Sequence, residues 1–258
     1  MDDTLIVAGT AALASFLSGL LGIGGGIVLT PLLLYLPPAL GASALSVKIV
    51  TGLTIVQAIS GSLFGVLRHR EYGNVSTATL RVMGPAIAVA SLAGALISSG
   101  ASDRVLLVVF AGLASVGAVA LLLPAETQLA PVDELHVNVP LARGTALVVG
   151  FFGGLVGIGG VALIIPALIH LLRLPPRVAI GTSLGVGFFG AAAAFVGKAA
   201  TAQIDPLLGA IVFVAALLVS PVGAALSLRT HPRALTAVLS LVVLLAAVRI
   251  TWTAVSGG

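Results

Sequence analysis

The chain has 258 residues, of which 59% are hydrophobic and only 8% are charged, and its mean hydropathy is +1.24. Soluble domains carry roughly 25% charged residues, so this composition excludes an ordinary soluble protein and predicts an integral membrane protein. The net charge is +4, but the basic residues lie mainly in short loops between apolar runs. There they set membrane orientation and contact anionic lipid, and no nucleic-acid partner is expected.

Eight apolar segments follow one another, and most approach or exceed the roughly 20 residues that span a bilayer. They cover residues 4–36, 42–67, 79–99, 104–123, 145–172, 178–200, 207–228 and 235–253. The only extended polar stretch, 124–143, separates four segments from four. We therefore predict a first membrane repeat over 1–123, a linker over 124–143 and a second repeat over 144–258. The acidic front of the first segment predicts a retained helix instead of a signal peptide.

The two halves share a glycine-rich motif. The stretch LGIGGGIVLTPLLL at 21–34 nearly recurs as VGIGGVALIIPALI at 156–169, and Pro31 matches Pro166. Further along, Thr51 falls opposite Thr182. This order indicates an internal duplication, which in membrane proteins is typical of transporters.

The glycine clusters predict that the chain reverses inside the membrane. If each motif-bearing segment crossed once, the loops that carry Arg68, Arg173 and Arg229 would not share one face. If each segment is a hairpin of two shorter helices, these loops are all cytoplasmic, as the positive-inside rule requires, and the N-terminus is outside. Each half then has an odd number of crossings. We expect an all-α polytopic fold of two inverted repeats, each with a broken or re-entrant hairpin and about three spanning helices.

The same reversal predicts an anion site at membrane depth. Backbone that turns inside a bilayer must be buried in protein or face a water-filled cavity. Helices that begin after the clusters, at Ile27 and Val161, direct unpaired N–H groups and a positive dipole end there. All eight acidic residues lie at termini, loops or segment edges, whereas a cation carrier usually places a carboxylate in its pathway.

Several polar residues inside the segments are candidate ligands. Lys48 and Thr51 share a helix face, although Lys48 is equally well explained as a snorkelling interfacial residue. Thr51 and the pair Thr182 and Ser183 suit hydrogen bonds to oxyanion oxygens, or bonds between helices. Gln57 is either a ligand or a link between helices.

Other singled-out residues are expected to be structural. Pro31 and Pro166 break the backbone hydrogen-bond ladder, so we expect them to act as hinges that shape the cavity. His170 is expected to pack near the cytoplasmic interface, and Lys198 and Arg249 to be interfacial anchors.

The repeated motifs, each followed by a threonine-bearing segment, SVKIVTGLT or RVAIGTSLG, resemble the sulfite exporter TauE/SafE family of bacterial membrane transporters. The resemblance implies a carrier in the cytoplasmic (inner) membrane that exports sulfite or small organosulfonates such as sulfoacetate. By motif position it implies a site that involves Gly24, Gly25, Gly26, Thr51, Gly159, Gly160, Thr182 and Ser183. The second half carries the fuller form, Ala179-Ile180-Gly181-Thr182-Ser183, which the first half replaces with Lys48-Ile49-Val50-Thr51-Gly52.

Other function classes are less well supported by the sequence. A passive anion channel would use the same elements, and a carrier of another small anion is a further alternative. A membrane scaffold would leave the glycine clusters unexplained. No catalytic triad, Walker loop or metal-ligand spacing is present, so we expect neither an enzyme nor a cofactor or metal. Small-residue helix faces permit a homodimer.

Overall fold

The computed structural model describes residues 3–21, 26–123 and 137–227, and in these ranges the protein is all-helical, without strands. Nine helices are seen there, in chain order α1 Asp3–Leu21, α2 Gly26–Ala39, α3 Val47–Glu71, α4 Thr77–Ser98, α5 Asp103–Leu122, α6 Val139–Val156, α7 Val161–His170, α8 Pro176–Ala200 and α9 Pro206–Ser227. Six of them, α1, α3, α4, α6, α8 and α9, include stretches long and apolar enough to cross a membrane. The expected all-helical polytopic fold is confirmed, while the segment predicted at 235–253 lies outside the described residues.

Helices α3 and α8 form the buried centre of the molecule, and each has 25 residues. They run in opposite directions. Near the start of α3, Gly52 packs against the carbonyl group of Gln203, which follows the end of α8; near the start of α8, Gly181 packs against the carbonyl group of Asn74, which follows the end of α3. In both places a Cβ atom would overlap the carbonyl oxygen, so glycine allows the backbones to touch.

The two ends of this central pair differ in charge. We call the end where α3 begins and α8 ends the lysine end, after Lys48 and Lys198, and the opposite end the arginine end, after Arg68 and Arg177. Among the described residues, one glutamate and six arginines belong to the arginine end: Glu71, Arg68, Arg70, Arg81, Arg143, Arg173 and Arg177. The lysine end has three basic and three acidic residues: Lys48, Arg104, Lys198, Asp3, Asp103 and Asp205. The excess positive charge is therefore at the arginine end.

Helices α4 and α6 lie side by side and run in the same direction. Gly154 of α6 packs on the carbonyl oxygen of Ser91, and Gly94 of α4 packs on that of Phe151, so closely that a Cβ atom at either glycine would overlap the oxygen. The hydroxyl of Ser91 also donates to the carbonyl oxygen of Gly150, over 3.0 Å. Small residues permit such close approach, and packing of this kind holds helices together where lipid removes the hydrophobic driving force.

Helices α1 and α9 repeat this contact with the same residue types. Gly19 of α1 packs on the carbonyl oxygen of Ser220, and Gly223 of α9 packs on that of Phe16, again with no room for a Cβ atom. Each glycine, serine and phenylalanine in this contact has a counterpart of the same type in the α4 and α6 contact. The helix pair formed by α1 and α9 is thus built like the pair formed by α6 and α4.

The second glycine-rich motif interrupts its segment between α6 and α7. Gly157, Gly159 and Gly160 have φ values of +83°, +64° and +75°, a left-handed region that side chains disfavour. The N–H groups of Gly157 and Ile158 both donate to the carbonyl oxygen of Gly153, over 2.9 and 3.1 Å, and end α6. The chain then returns alongside α6, because Val137 before α6 and Leu174 after α7 pack in one hydrophobic cluster.

The first motif is interrupted at the matching place. Helix α1 ends at Leu21 and α2 begins at Gly26; Gly24 and Gly25 lie outside the described residues. The carboxylate of Asp3, at the start of α1, accepts a hydrogen bond from the N–H of Ser43, which follows α2, over 3.1 Å. Helix α2 therefore returns to the end from which α1 starts.

Helix α6 begins inside the stretch predicted as a linker. Asn138 caps it by accepting the N–H of Leu141 over 3.2 Å, so residues from Val139 onward are already helical. The division of the chain into repeats 1–123 and 144–258 stays a prediction.

Candidate functional site

The most deeply buried charged side chain among the described residues is that of Lys198, which is 0% exposed near the end of α8. Its Nζ donates to Thr51 Oγ1 and Ser98 Oγ, each 3.0 Å away, and to Gln203 Oε1 at 3.1 Å. The carbonyl oxygen of Leu155, in the last turn of α6, lies 3.4 Å away. We call Lys198, Thr51, Ser98 and Gln203 the lysine cluster.

The expectation that Lys198 is an interfacial anchor is wrong. The turn after α8 folds back over the helix end, where the N–H of Gln203 donates to the carbonyl oxygen of Lys198 over 2.9 Å. Gln203 is itself buried, so the lysine points into the protein instead of toward the surface. From sequence alone, a lysine in the last turn of an apolar helix is interpreted as a snorkelling residue. Its burial here depends on the path of the following turn, which the sequence does not show.

The predicted pairing of Lys48 with Thr51 on one helix face is present at the lysine end. The Thr51 hydroxyl donates to the carbonyl oxygen of Lys48 over 2.8 Å while it accepts from Lys198. The half-buried Lys48 ammonium donates to the carbonyl oxygen of Ser99, after α4, over 2.6 Å. Lys48 is therefore tied to the α4–α5 turn, one residue from the buried Ser98.

The glycines of the two motifs lie close to this cluster. Gly157 packs on the carbonyl oxygen of Thr51, and a Cβ atom at Gly159 would lie 3.0 Å from Cβ of Ala58. Gly26, the first residue of α2, packs against Ile158, where a Cβ atom would lie 2.8 Å from Cα. Both motifs thus contact each other beside α3. Gly160 precedes α7, and no side chain caps that helix start.

The structure does not bring Thr182 and Ser183 to the lysine cluster. Thr182 lies 16 residues before Lys198 on the same helix, a separation of about 24 Å along the axis. At the arginine end its hydroxyl accepts the N–H of Ser76 over 2.9 Å, and the Ser183 hydroxyl donates to the carbonyl oxygen of Ile180 over 2.7 Å. Thr51 and Thr182 occupy matching positions of the two halves, but the central helices are antiparallel, which places them at opposite ends.

Gln57 lies in the middle of α3 and is buried. Its Nε2 donates to Ser15 Oγ of α1 over 3.1 Å, while its Oε1 has no hydrogen-bond partner. The contact links two helices, one of the two roles considered for this residue, and the binding role stays a prediction.

Pro31 and Pro166 each stand at the sixth position of a returning helix, α2 and α7 respectively, and both are buried. Their role as hinges stays a prediction. His170 ends α7 and its Nε2 lies 3.1 Å from the carbonyl oxygen of Ala120 in α5, so the expected packing role matches its contact. Arg249 lies outside the described residues.

A separate groove of about 530 Å³ lies between α5, α6 and α7. Its lining is almost entirely apolar and includes exposed side chains such as Val116, Val148 and Leu171. Such a surface suits lipid chains, and it contains no residue of the lysine cluster. Nor is any cluster of metal-ligating side chains found in the described ranges.

An ionisable side chain buried in a bundle of apolar helices is rare and usually functional. The sequence pattern of the family described as sulfite exporter TauE/SafE matches residues 7–250. The chain belongs to this family. The resemblance noted from its motifs is confirmed.

A curated relative is similar to part of this TauE/SafE family member. A segment of 77 residues is 35% identical to a probable membrane transporter protein of Haemophilus influenzae. The match covers 30% of this chain and 29% of that relative. No solved structure matches the chain.

Proposed function

We propose that this protein is a membrane transporter that exports sulfite or small organosulfonate anions such as sulfoacetate. The observation that carries the proposal is the meeting of the two glycine motifs, Gly26 against Ile158 and Gly157 against Thr51, beside the central helices. Interrupted helices at membrane depth are where secondary transporters bind substrate. None of the four acidic residues in the described ranges lies inside a span away from its ends, which favours an anion over a cation.

The mechanism we infer is alternating access between two inverted repeats. The support is the matching of contacts: Gly19 on Ser220 repeats Gly154 on Ser91, and Gly223 on Phe16 repeats Gly94 on Phe151. The antiparallel central helices, α3 of the first half and α8 of the second, are the arrangement that inversion requires. Rocking of one half against the other would expose a site between them to each side in turn.

We further infer that the arginine end faces the cytoplasm and that the N-terminus is outside. The support is the charge difference between the ends, since cytoplasmic loops carry the excess of lysine and arginine. The lysine end, with Asp3 and the start of α1, then faces outward. The membrane would be the bacterial cytoplasmic membrane, in which an exporter of this kind operates.

Flux through purified protein in proteoliposomes tests the proposal. We expect sulfite and sulfoacetate uptake to saturate with concentration and to be stimulated by unlabelled anion on the opposite side, as a carrier requires. Flux that neither saturates nor responds to the opposite side would indicate the alternative, a passive anion channel. Transport confined to anions without sulfur would point to a carrier of another small anion.

A further inference from the structure

The lysine cluster brings together residues from several helices. Thr51 comes from α3, Ser98 from the last turn of α4, Lys198 from α8 and Gln203 from the turn that follows, while Leu155 lies in the last turn of α6. Each of the four cluster side chains is more than nine-tenths buried. Such a concentration of buried polar groups is costly in a membrane protein and usually functional.

We propose that the lysine cluster is the binding site for the transported anion, with Lys198 as its counter-charge. This inference rests on the function proposed above and locates its substrate at residues that the motifs do not include. The cluster would take a small oxyanion or sulfonate whose oxygens accept hydrogen bonds from the ammonium, the two hydroxyls and the amide.

The charge of Lys198 has no acidic partner among the described residues. The four oxygen atoms around its Nζ, which has three N–H groups to donate, are all neutral. The carboxylate of Asp205 accepts the N–H of Leu208, that of Asp3 accepts the N–H of Ser43, and Glu71 pairs with Arg68. A buried charge is normally paired. The carbonyl end of α6 offers only a partial negative charge, so a bound anion would supply the missing one.

The other cluster members have the donors that an oxyanion needs. The hydroxyl of Ser98 donates to the carbonyl oxygen of Ala95 over 2.6 Å, and the amide of Gln203 donates to Thr201 Oγ1 over 2.7 Å. The same donors also reach across the cluster, Ser98 Oγ to Gln203 Oε1 over 2.9 Å and Gln203 Nε2 to the carbonyl oxygen of Ala95 over 3.3 Å. Rotation of either side chain would release its donor without moving a helix. Hydrogen bonds that involve a charged group are about twice as strong as neutral ones. When an anion enters, the donors therefore gain by leaving their neutral partners and binding the anion.

The cluster breaks the correspondence between the two halves. Thr51 and Thr182 match, so the position of α3 that corresponds to Lys198 is Leu67, which is 50% exposed. The arginine end thus has a matching threonine without a lysine beside it. Within residues 3–21, 26–123 and 137–227 the charged site occurs at the lysine end alone, where Gly157 brings the break between α6 and α7 against Thr51. A movement of the break between α6 and α7 would therefore act directly on Thr51, a member of the cluster.

Thermal-shift titration of the purified protein tests the site. An anion that binds the folded state raises the melting temperature as its concentration rises. We expect sulfite or sulfoacetate, but not chloride, to do so for the wild type and for Arg104→Gln. That control removes one positive charge from the same end at an exposed position. Lys198→Met is expected to need at least roughly 30-fold more anion for the same shift, as when a buried charge loses its partner.

The outcomes separate the site from the function. If Lys198→Met responds to sulfite or sulfoacetate within about threefold of the wild type, the site is overturned while the transport proposal stands. If the wild type responds to neither anion and transports neither, both fail. Should Lys198→Met not fold, Thr51→Val and Gln203→Leu put the same question: we expect each to weaken binding roughly tenfold, and unchanged affinity in both overturns the site.

Discussion

Gly157 lies directly against Thr51, so that a Cβ atom at Gly157 would overlap the Thr51 carbonyl oxygen and would lie 2.7 Å from Thr54 Oγ1. The glycine also has a φ of +83°. One residue of the second motif is therefore fixed both by its own backbone and by a helix of the first half. Since Thr51 also binds Lys198, the contact joins a motif glycine to the lysine cluster.

Gly157→Ala should lower stability clearly. A left-handed φ costs an alanine roughly 1 kcal/mol or more, and the overlap with rigid backbone adds roughly 1–3 kcal/mol. The measurement is the melting temperature in detergent. Gly144→Ala is the control on α6, the helix that Gly157 follows, because nothing lies within 4 Å of its Cβ position; it should be neutral or slightly stabilising. Equal melting of Gly157→Ala and wild type would contradict the contact.

The paired glycine contacts predict parallel effects in the two halves. Gly154→Ala and Gly19→Ala each place a methyl group on a serine carbonyl oxygen of the neighbouring helix, so each should cost roughly 1–3 kcal/mol. Gly112→Ala on α5 is the control. No atom lies within 4 Å of its Cβ position, so this substitution should not lower stability. Denaturant or thermal melting of the three variants gives the comparison. A loss at Gly154 without one at Gly19 would count against equivalent halves.

The proposed orientation can be tested with single cysteines, since the natural chain has none. Ala44→Cys lies exposed at the lysine end and Tyr72→Cys lies exposed at the arginine end. We expect a membrane-impermeant thiol reagent to label Ala44→Cys in intact cells and Tyr72→Cys only after the membrane is opened. The reverse labelling pattern would place the N-terminus inside.

The contact between Gln57 and Ser15 predicts a compensating pair of substitutions. Ser15→Ala removes the hydrogen-bond partner of a buried amide whose other atom is already unpaired, and this should cost roughly 1–3 kcal/mol. The double variant Ser15→Ala/Gln57→Leu should recover much of that loss, because both partners are then apolar. The measurement is the melting temperature of the wild type, of Ser15→Ala and of the double variant.

Transport by the same double variant separates the two roles of Gln57. Normal sulfite flux would leave Gln57 as a link between α3 and α1. A stable double variant that no longer transports would instead make it part of the pathway.

The sequence alone was sufficient to predict the class of protein, its family and the positions of the glycine breaks, because these depend on local properties. Runs of apolar residues predict helices that suit a bilayer, and a cluster of adjacent glycines inside such a run destabilises a continuous helix. The break at Gly157, Gly159 and Gly160 lies where the motif predicts it.

The candidate site could be predicted only in part. Thr51 was singled out and does contact a buried lysine, but Lys198 was interpreted as an interfacial anchor and Ser98 and Gln203 carried no signal. Burial of Lys198 depends on the turn that places Gln203 over it and on a helix, α4, whose Ser98 is 100 residues away in sequence. Spacing along one chain does not contain that information.

Thr182 illustrates the same limit in reverse. Its position in the repeat matches that of Thr51, and the sequence therefore grouped them in one site. The packing of α3 against α8 in opposite directions places them at opposite ends instead. The sequence by itself determined which residues are helical, apolar and repeated, since these follow from side-chain chemistry and local periodicity. Only the tertiary structure decided which polar residues meet, because the direction and contacts of packed helices set the distances between side chains far apart in the chain.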